Sequence, residues 1–187
     1  MDSDIRLDAE AIKVLAHPLR SRLLTELRRN GPATATQLAE RLDTNTGATS
    51  YHLRKLESVR LVEDTGAGEG KRRLWQAASR SHSWATSDFA GDEDAEASLA
   101  WLTRDYVRQA GEKMQRWLDV EHAWPPEWRD ALGISDDVVL VTPAQTERMY
   151  DELLAVVMKY RDAGSGDPEA RHVSIWLMSH PQDTSRG

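Results

Sequence analysis

With 24 Lys and Arg against 31 Asp and Glu, the 187-residue chain has a formal net charge of -7; 40% of its residues are apolar and none is cysteine. The apolar share suffices for a packed core, in one domain or two small ones, and no run of about eighteen apolar residues exists to cross a bilayer, so a soluble protein is expected. The missing cysteines exclude disulfides, thiolate nucleophiles, thiol redox sensing and thiolate metal sites. Met1-Asp2-Ser3-Asp4 is acidic and lacks the basic flank and apolar stretch of a secretory signal, which predicts a cytoplasmic location.

Leu7 to Ala16 reads as a short helix, and Pro18 starts a second, because proline suits the first helical turn. The second runs to about Asn30, with Leu19, Leu23, Leu24 and Leu27 along one side and Arg20, Arg22, Arg28 and Arg29 mainly elsewhere. Asn30-Gly31-Pro32 ends it. Thr36 is expected to cap a third helix that reaches Leu42 and turns Leu38, Ala39 and Leu42 inward. Asp43-Thr44-Asn45 forms a turn, and a fourth helix spans about Asn45 to Ser58 with Thr49, Leu53 and Leu56 as its inner stripe. Arg60 to Asp64 reads as a strand, Gly66, Gly68 and Gly70 as a hairpin tip, and Lys71 to Gln76 as the returning strand. Three helices, a turn, a helix and a glycine-tipped hairpin are the parts of a winged helix-turn-helix, placed at residues 1–80.

Ser79 to Asp94 is rich in Ser, Asp, Ala and Gly without a period, so residues 81–93 are expected to be a linker. A helix from about Asp94 to Glu121 carries a stripe of Leu99, Leu102, Tyr106, Ala110, Met114 and Trp117. It is too long for a small fold to cover and is expected to pack against a second copy. Trp124-Pro125-Pro126-Glu127-Trp128 breaks it. Val138 to Val141 reads as a buried strand. Thr142-Pro143-Ala144-Gln145 starts a helix to about Asp162, lined by Met149, Leu153, Val156, Val157 and Tyr160, and Val173 to Met178 reads as a final strand. The predicted fold class is therefore mainly α with small β. It comprises a winged helix-turn-helix, a long dimerisation helix and a small C-terminal α/β unit, the last two within residues 94–187.

The charge is unevenly spread. Residues 1–80 hold 14 Lys and Arg against 11 Asp and Glu, a balance of +3, and the remainder holds 10 against 20, a balance of -10. A phosphate-binding surface needs local positive charge, whereas the whole-chain balance mainly governs solubility, so an acidic second half is compatible with nucleic-acid binding by the first.

Leu15-Ala16-His17-Pro18-Leu19-Arg20, Gln37-Leu38-Ala39, Ser50-Tyr51-His52-Leu53-Arg54-Lys55-Leu56 and Leu61-Val62 occur in one register. Together, over about residues 9–78, they resemble the ArsR-type winged helix-turn-helix regulators. The resemblance implies a dimeric bacterial transcription factor whose second turn-motif helix enters the major groove while the hairpin wing touches backbone or minor groove. The Trp-Pro-Pro-Glu-Trp-Arg element at Trp124 to Arg129 is similar to tails of some actinobacterial-type members. The paired cysteines of the metal-sensing branch are missing from the third helix, so arsenic or cadmium sensing is not expected and no cofactor is assigned.

With Thr49, Leu53 and Leu56 inward, helical geometry sends Thr46, Gly47, Ser50, Tyr51 and Arg54 outward. Ser and Thr hydroxyls bond bases or phosphates, Tyr51 can stack or meet a thymine methyl, Arg54 can fork onto a guanine or hold a phosphate, and Gly47 permits close approach. The bland alternative is a solvated helix face; the turn before this helix and the cationic hairpin after it favour contact with duplex DNA. In the wing, Lys71, Arg72 and Arg73 follow the glycine-rich tip, with Arg72 and Arg73 suited to phosphate oxygens; Arg20 and Lys55 are weaker phosphate candidates. His17 and His52 read as structural histidines. Asp119, Glu121 and His122 could hold a hard metal ion, but their spacing does not fit one helical face and no metal is assigned. Trp101, Trp117, Trp124, Trp128 and Trp176 line either an effector pocket for an unknown small molecule or the core and dimer interface.

These features predict a sequence-specific regulator that binds double-stranded DNA as a homodimer on an inverted-repeat operator and catalyses no reaction. The alternative is a winged helix used for protein contact, its acidic half engaging a basic partner. No nucleophile, glycine-rich phosphate loop or paired metal-ligand motif supports an enzyme.

Overall fold

Asp8 starts the first helix, α1 (Ala9–Leu15), by accepting the Ala11 N–H on its carboxylate at 2.8 Å. The computed structural model describes residues 5–68, 70 and 72–182; the acidic start Met1 to Asp4, the hairpin residues Glu69 and Lys71, and residues 183–187 lie outside them. Pro18 opens α2 (Pro18–Asn30) behind His17, whose Nδ1 accepts the Leu19 N–H at 3.1 Å. A short strand, β2 (Ala33–Thr34), leads into α3 (Ala35–Arg41). The cap of α3 is Thr34, two residues before the expected Thr36. Thr34 and Gln37 satisfy each other's backbone N–H groups in a capping box, and Thr36 has no such partner three residues on, where Ala39 stands.

The fourth helix, α4 (Thr46–Ser58), begins at Asn45, whose side chain accepts the Ala48 N–H at 2.8 Å, and it buries Thr49, Leu53 and Leu56 as the spacing predicts. Asp43, in the turn before it, adopts φ +50°, which a short polar side chain tolerates. The helix ends in a Schellman arrangement. Leu61 N–H bonds Leu56 C=O at 3.0 Å and Arg60 N–H bonds Glu57 C=O at 2.9 Å, with Arg60 at φ +58° and Leu56 and Leu61 both buried. Arg60 is thus a helix stop and not the start of a strand. The hairpin strands are β3 (Val62–Asp64) and β4 (Leu74–Ala77), antiparallel, with β2 on the other edge of β4. Gly68 lies where an added Cβ would sit 1.8 Å from the Arg72 carbonyl oxygen, so the hairpin closes only with glycine there.

The chain divides into two compact units, Met1–Gln115 and Arg116–Gly187. Residues 81–93, expected to be a linker, lie in the first. There β5 (His82–Ser83) pairs in parallel with β1 (Ile5–Arg6), and a 3-10 turn, Thr86–Phe89, buries Phe89 in the core beside Leu7, Ile12, Leu15 and Leu99. Arg6 donates to both Asp88 carboxylate oxygens, and Lys13 pairs with Asp92 at 2.8 Å, so charges as well as apolar contacts hold this segment.

The long helix, α5 (Glu93–Val120), buries Leu99, Leu102 and Ala110 of its predicted stripe, leaves Tyr106 and Trp117 half-buried and Met114 exposed, and also buries Ala95, Asp105 and Gln109 from outside the stripe. Gln109 Nε2 donates to Ser21 Oγ on α2 at 3.0 Å and to Asp105 at 2.7 Å, and Arg108 donates to the other Asp105 oxygen at 2.5 Å. A buried carboxylate with both oxygens bonded is tolerated, and the bond to Ser21 fixes α5 on α2. Two turns along α2 from Ser21, Arg28 donates to His82 Nδ1 at 2.5 Å. The His82 proton therefore sits on Nε2 and faces the Tyr106 hydroxyl oxygen at 2.8 Å, with Trp84 stacked on the imidazole. Burial and then the Arg28 charge push the His82 imidazole down to about 3, and burial raises the Tyr106 phenol. Unfolding frees His82 to bind a proton below its ordinary value of about 6.5. Stability is therefore complete above pH ~6.5 and falls as the pH drops toward 3, by up to about 1.4 kcal/mol per pH unit. His17 and His52, both lowered, add to the same trend. Melting temperature measured against pH should show this decline, and His82→Gln, which keeps an acceptor and a donor but cannot charge, should flatten it; an unchanged acid-side slope in that variant would contradict the assignment.

In the second unit, α5 ends and a 3-10 turn, Glu121–Ala123, leads to α6 (Pro126–Ala131) and α7 (Pro143–Tyr160). The Thr142–Gln145 capping box forms as its sequence predicts. The two expected strands do not: neither 138–141 nor 173–178 enters a ladder, and both segments lie mostly exposed, with Leu140 at 104%. A strand needs a paired neighbour for its backbone groups, and among the described residues neither segment has one. The C-terminal α/β unit is thus corrected to a helical region, while the chain as a whole remains mostly helical with small sheets.

Candidate nucleic-acid interface

The outward side of α4 follows from its inner one. Thr49 and Leu53 are fully buried, Thr49 Oγ1 donates to the Asn45 carbonyl at 3.1 Å, and the residues on the opposite side of the helical wheel face away from the core. Thr46, Gly47, Tyr51, Arg54 and Lys55 are exposed and Ser50 is half-buried, so the six predicted positions lie together on one helix face. Tyr51 is 53% exposed, and the Lys55 ammonium lies 6.0 Å from its ring centroid. Arg54 makes no hydrogen bond or ion pair among the described residues, which leaves its five donors for a ligand. At Gly47 a Cβ would approach Asn45 Oδ1 to 3.3 Å, so the glycine makes room for the cap that starts the helix.

Behind this face, His52 packs on His17 with ring centroids 4.4 Å apart, and its Nδ1 is buried without a hydrogen bond among the described residues. Burial holds both imidazoles below their ordinary value, with the Arg20 cation adding to it. Neutral at pH 7, they contribute packing and a helix cap, and no positive charge. Arg20 turns inward and donates to the Val14 carbonyl, which withdraws it from the surface.

The hairpin divides its cations. Arg72 is exposed and makes no hydrogen bond or ion pair among the described residues, whereas Lys71 lies outside them. Arg73 is gripped. Its Nη1 donates to both Glu57 carboxylate oxygens at 3.2 Å, its Nε stands 3.4 Å from Asp64 Oδ2, and its guanidinium lies 5.3 Å from the Trp75 ring centroid. The sequence pointed to Arg73 as a phosphate contact and to neither carboxylate. The β3–β4 register, which sets Asp64 opposite Trp75, was the signal available for one of them.

Residues 15–65, spanning α2 to β3, match the model of the helix-turn-helix domain family. Residues 15–65 are a helix-turn-helix domain. A search of the curated proteins finds no match. Among solved structures, a possible transcriptional regulatory protein (fragment 1–100) from Mycobacterium bovis is similar at 26% identity, over 52% of this chain and 89% of that one, with a TM-score of 0.35. Among the described residues no helix is long and apolar enough to cross a membrane.

The tryptophans flanking the helix-turn-helix domain separate into different settings. Trp101 packs against the core of the first unit. In the second unit, Trp117, Trp124 and Trp128 form an edge-to-face chain with centroids 5.4 and 6.0 Å apart, and Trp176 is 38% exposed. An open groove of about 650 Å³ in the first unit is floored by Leu99 and Ala100 and edged by Thr86, Thr103 and Arg104, and none of these tryptophans lines it.

Proposed function

We propose that the chain is a sequence-specific, non-enzymatic transcription regulator of the ArsR type, acting in the cytoplasm on double-stranded DNA. In this reading α4 enters the major groove, where Arg54 and Tyr51 meet base edges and Thr46, Ser50 and Lys55 meet bases or phosphates, with Gly47 at the closest approach. Arg72 reaches a phosphate from the hairpin. The observation that carries the reading is the row of exposed polar, aromatic and cationic side chains on the second helix of a helix-turn-helix domain, with Arg54 unpaired among the described residues.

A dimer joined through α1 and α5 would set two such helices on an inverted repeat. Residues 1–80 then serve as the DNA-binding part and 94–187 as the dimerisation and effector region, its signal unidentified. The exposed Val107 and Met114 on α5 are consistent with a face that a second copy covers. The net charge of -7 favours one rival, a protein-contact module with a basic partner. Fluorescence anisotropy on labelled duplexes separates them. Regulator binding weakens steeply with salt and prefers some sequences, by about a thousandfold or more for an operator, whereas a protein-contact module shows no preference among duplexes. Sedimentation equilibrium on the full chain should give twice the monomer mass of 21.1 kDa.

A further inference from the structure

Glu57 and Asp64 do more than neutralise a neighbour. Trp75, buried in the core, is a fixed platform under the Arg73 guanidinium, and the two carboxylates approach from separate elements, Glu57 from α4 and Asp64 from β3. Asp64 is held in turn by the Gly66 N–H at 3.1 Å. One guanidinium between two carboxylates leaves these three groups with a summed charge of -1, so Arg73 adds no net positive charge to the run of Lys71, Arg72 and Arg73.

We propose that Glu57 restrains sequence-independent DNA binding by occupying the terminal Nη1 of Arg73, so that this arginine ties the wing to α4 and is withheld from phosphate. The inference rests on the DNA-binding reading above and adds a determinant of its specificity. The terminal nitrogens of a guanidinium form one of its two bidentate edges for phosphate, and Asp64 engages only the Nε side. Loss of the Glu57 carboxylate alone therefore opens the edge that a phosphate would use. Binding to random DNA is almost wholly electrostatic, so it gains most from one more phosphate contact, and the ratio of specific to non-specific affinity falls.

The test is a salt series with the full chain and a short labelled duplex of random sequence. Glu57→Gln should bind it more tightly than wild type, with a log–log salt slope steeper by about 0.9, the value for one phosphate. Its advantage over wild type should then grow about threefold as salt falls from about 200 to 50 mM. Removing the cation as well, in Glu57→Gln with Arg73→Ala, should return the slope to that of wild type. Glu63→Gln is the charge-matched control. Glu63 lies on the same hairpin but accepts from Gln76 at 2.6 Å and, among the described residues, bonds no guanidinium, so this variant should keep the wild-type slope. An unchanged slope in Glu57→Gln, a steeper slope that survives loss of Arg73, or an equal steepening in Glu63→Gln overturns the proposal. Failure of wild type itself to bind any duplex removes the DNA-binding reading, and this inference with it.

Discussion

Replacement of Tyr51 and Arg54 by alanine should abolish discrimination between operator and random DNA while leaving the fold intact. Both side chains project from α4 into solvent, Tyr51 at 53% exposure, and their removal opens no cavity, so stability should change by no more than about 0.5 kcal/mol. A bidentate arginine contact to a guanine is worth about 1–3 kcal/mol of discrimination, or roughly five- to 150-fold, and a tyrosine ring on a thymine methyl adds to it. Competition gel shifts, with thermal melting in parallel, read both halves of this expectation. Unaltered discrimination at an unaltered melting temperature would show that α4 does not read bases.

The mutation with the largest expected effect on stability lies on the opposite side of the same helix. Leu53 is fully buried and belongs to the core shared by α1, α2 and the hairpin, so Leu53→Ala loses both its transfer free energy and its packing, about 2–5 kcal/mol. Against a typical domain stability of about 5–15 kcal/mol, that is enough to unfold a marginal protein near body temperature. The urea midpoint should fall sharply, and DNA binding should be lost together with helical signal, whereas the Tyr51 and Arg54 variants lose binding alone. A midpoint equal to that of wild type would mean that α4 is not docked through this residue.

The contrast between these two faces explains why so much of the first unit was legible. Leu23, Leu24, Leu27, Leu38, Leu53 and Leu56 repeat at helical spacing, and burial follows that spacing closely because one apolar face per helix suffices to close the core. Caps were less legible. Thr34 and Thr36 are the same residue type, and only the reciprocal bond with Gln37 distinguishes them. Asp105 and Gln109 were missed because buried polar residues do not show in an apolar period; they are tolerated only through Ser21 and Arg108, which lie elsewhere in the sequence or outside the stripe. Beyond Gln115 the reading degrades. Val138 to Val141 has the composition of a strand, but pairing is a property of two segments, and composition reports only one. In the candidate interface, exposure of Arg54 and Tyr51 follows from helical geometry, whereas the capture of Arg73 by Glu57 depends on how the hairpin returns toward α4, which no local pattern encodes.

The most direct measurement is a selection of genomic DNA fragments bound by the purified full chain. A single motif with two inverted halves about one helical turn apart should be enriched, and it should disappear when Arg54 is replaced by alanine. Recovery of fragments without any shared motif, or of the same motif with the Arg54 variant, would contradict this expectation.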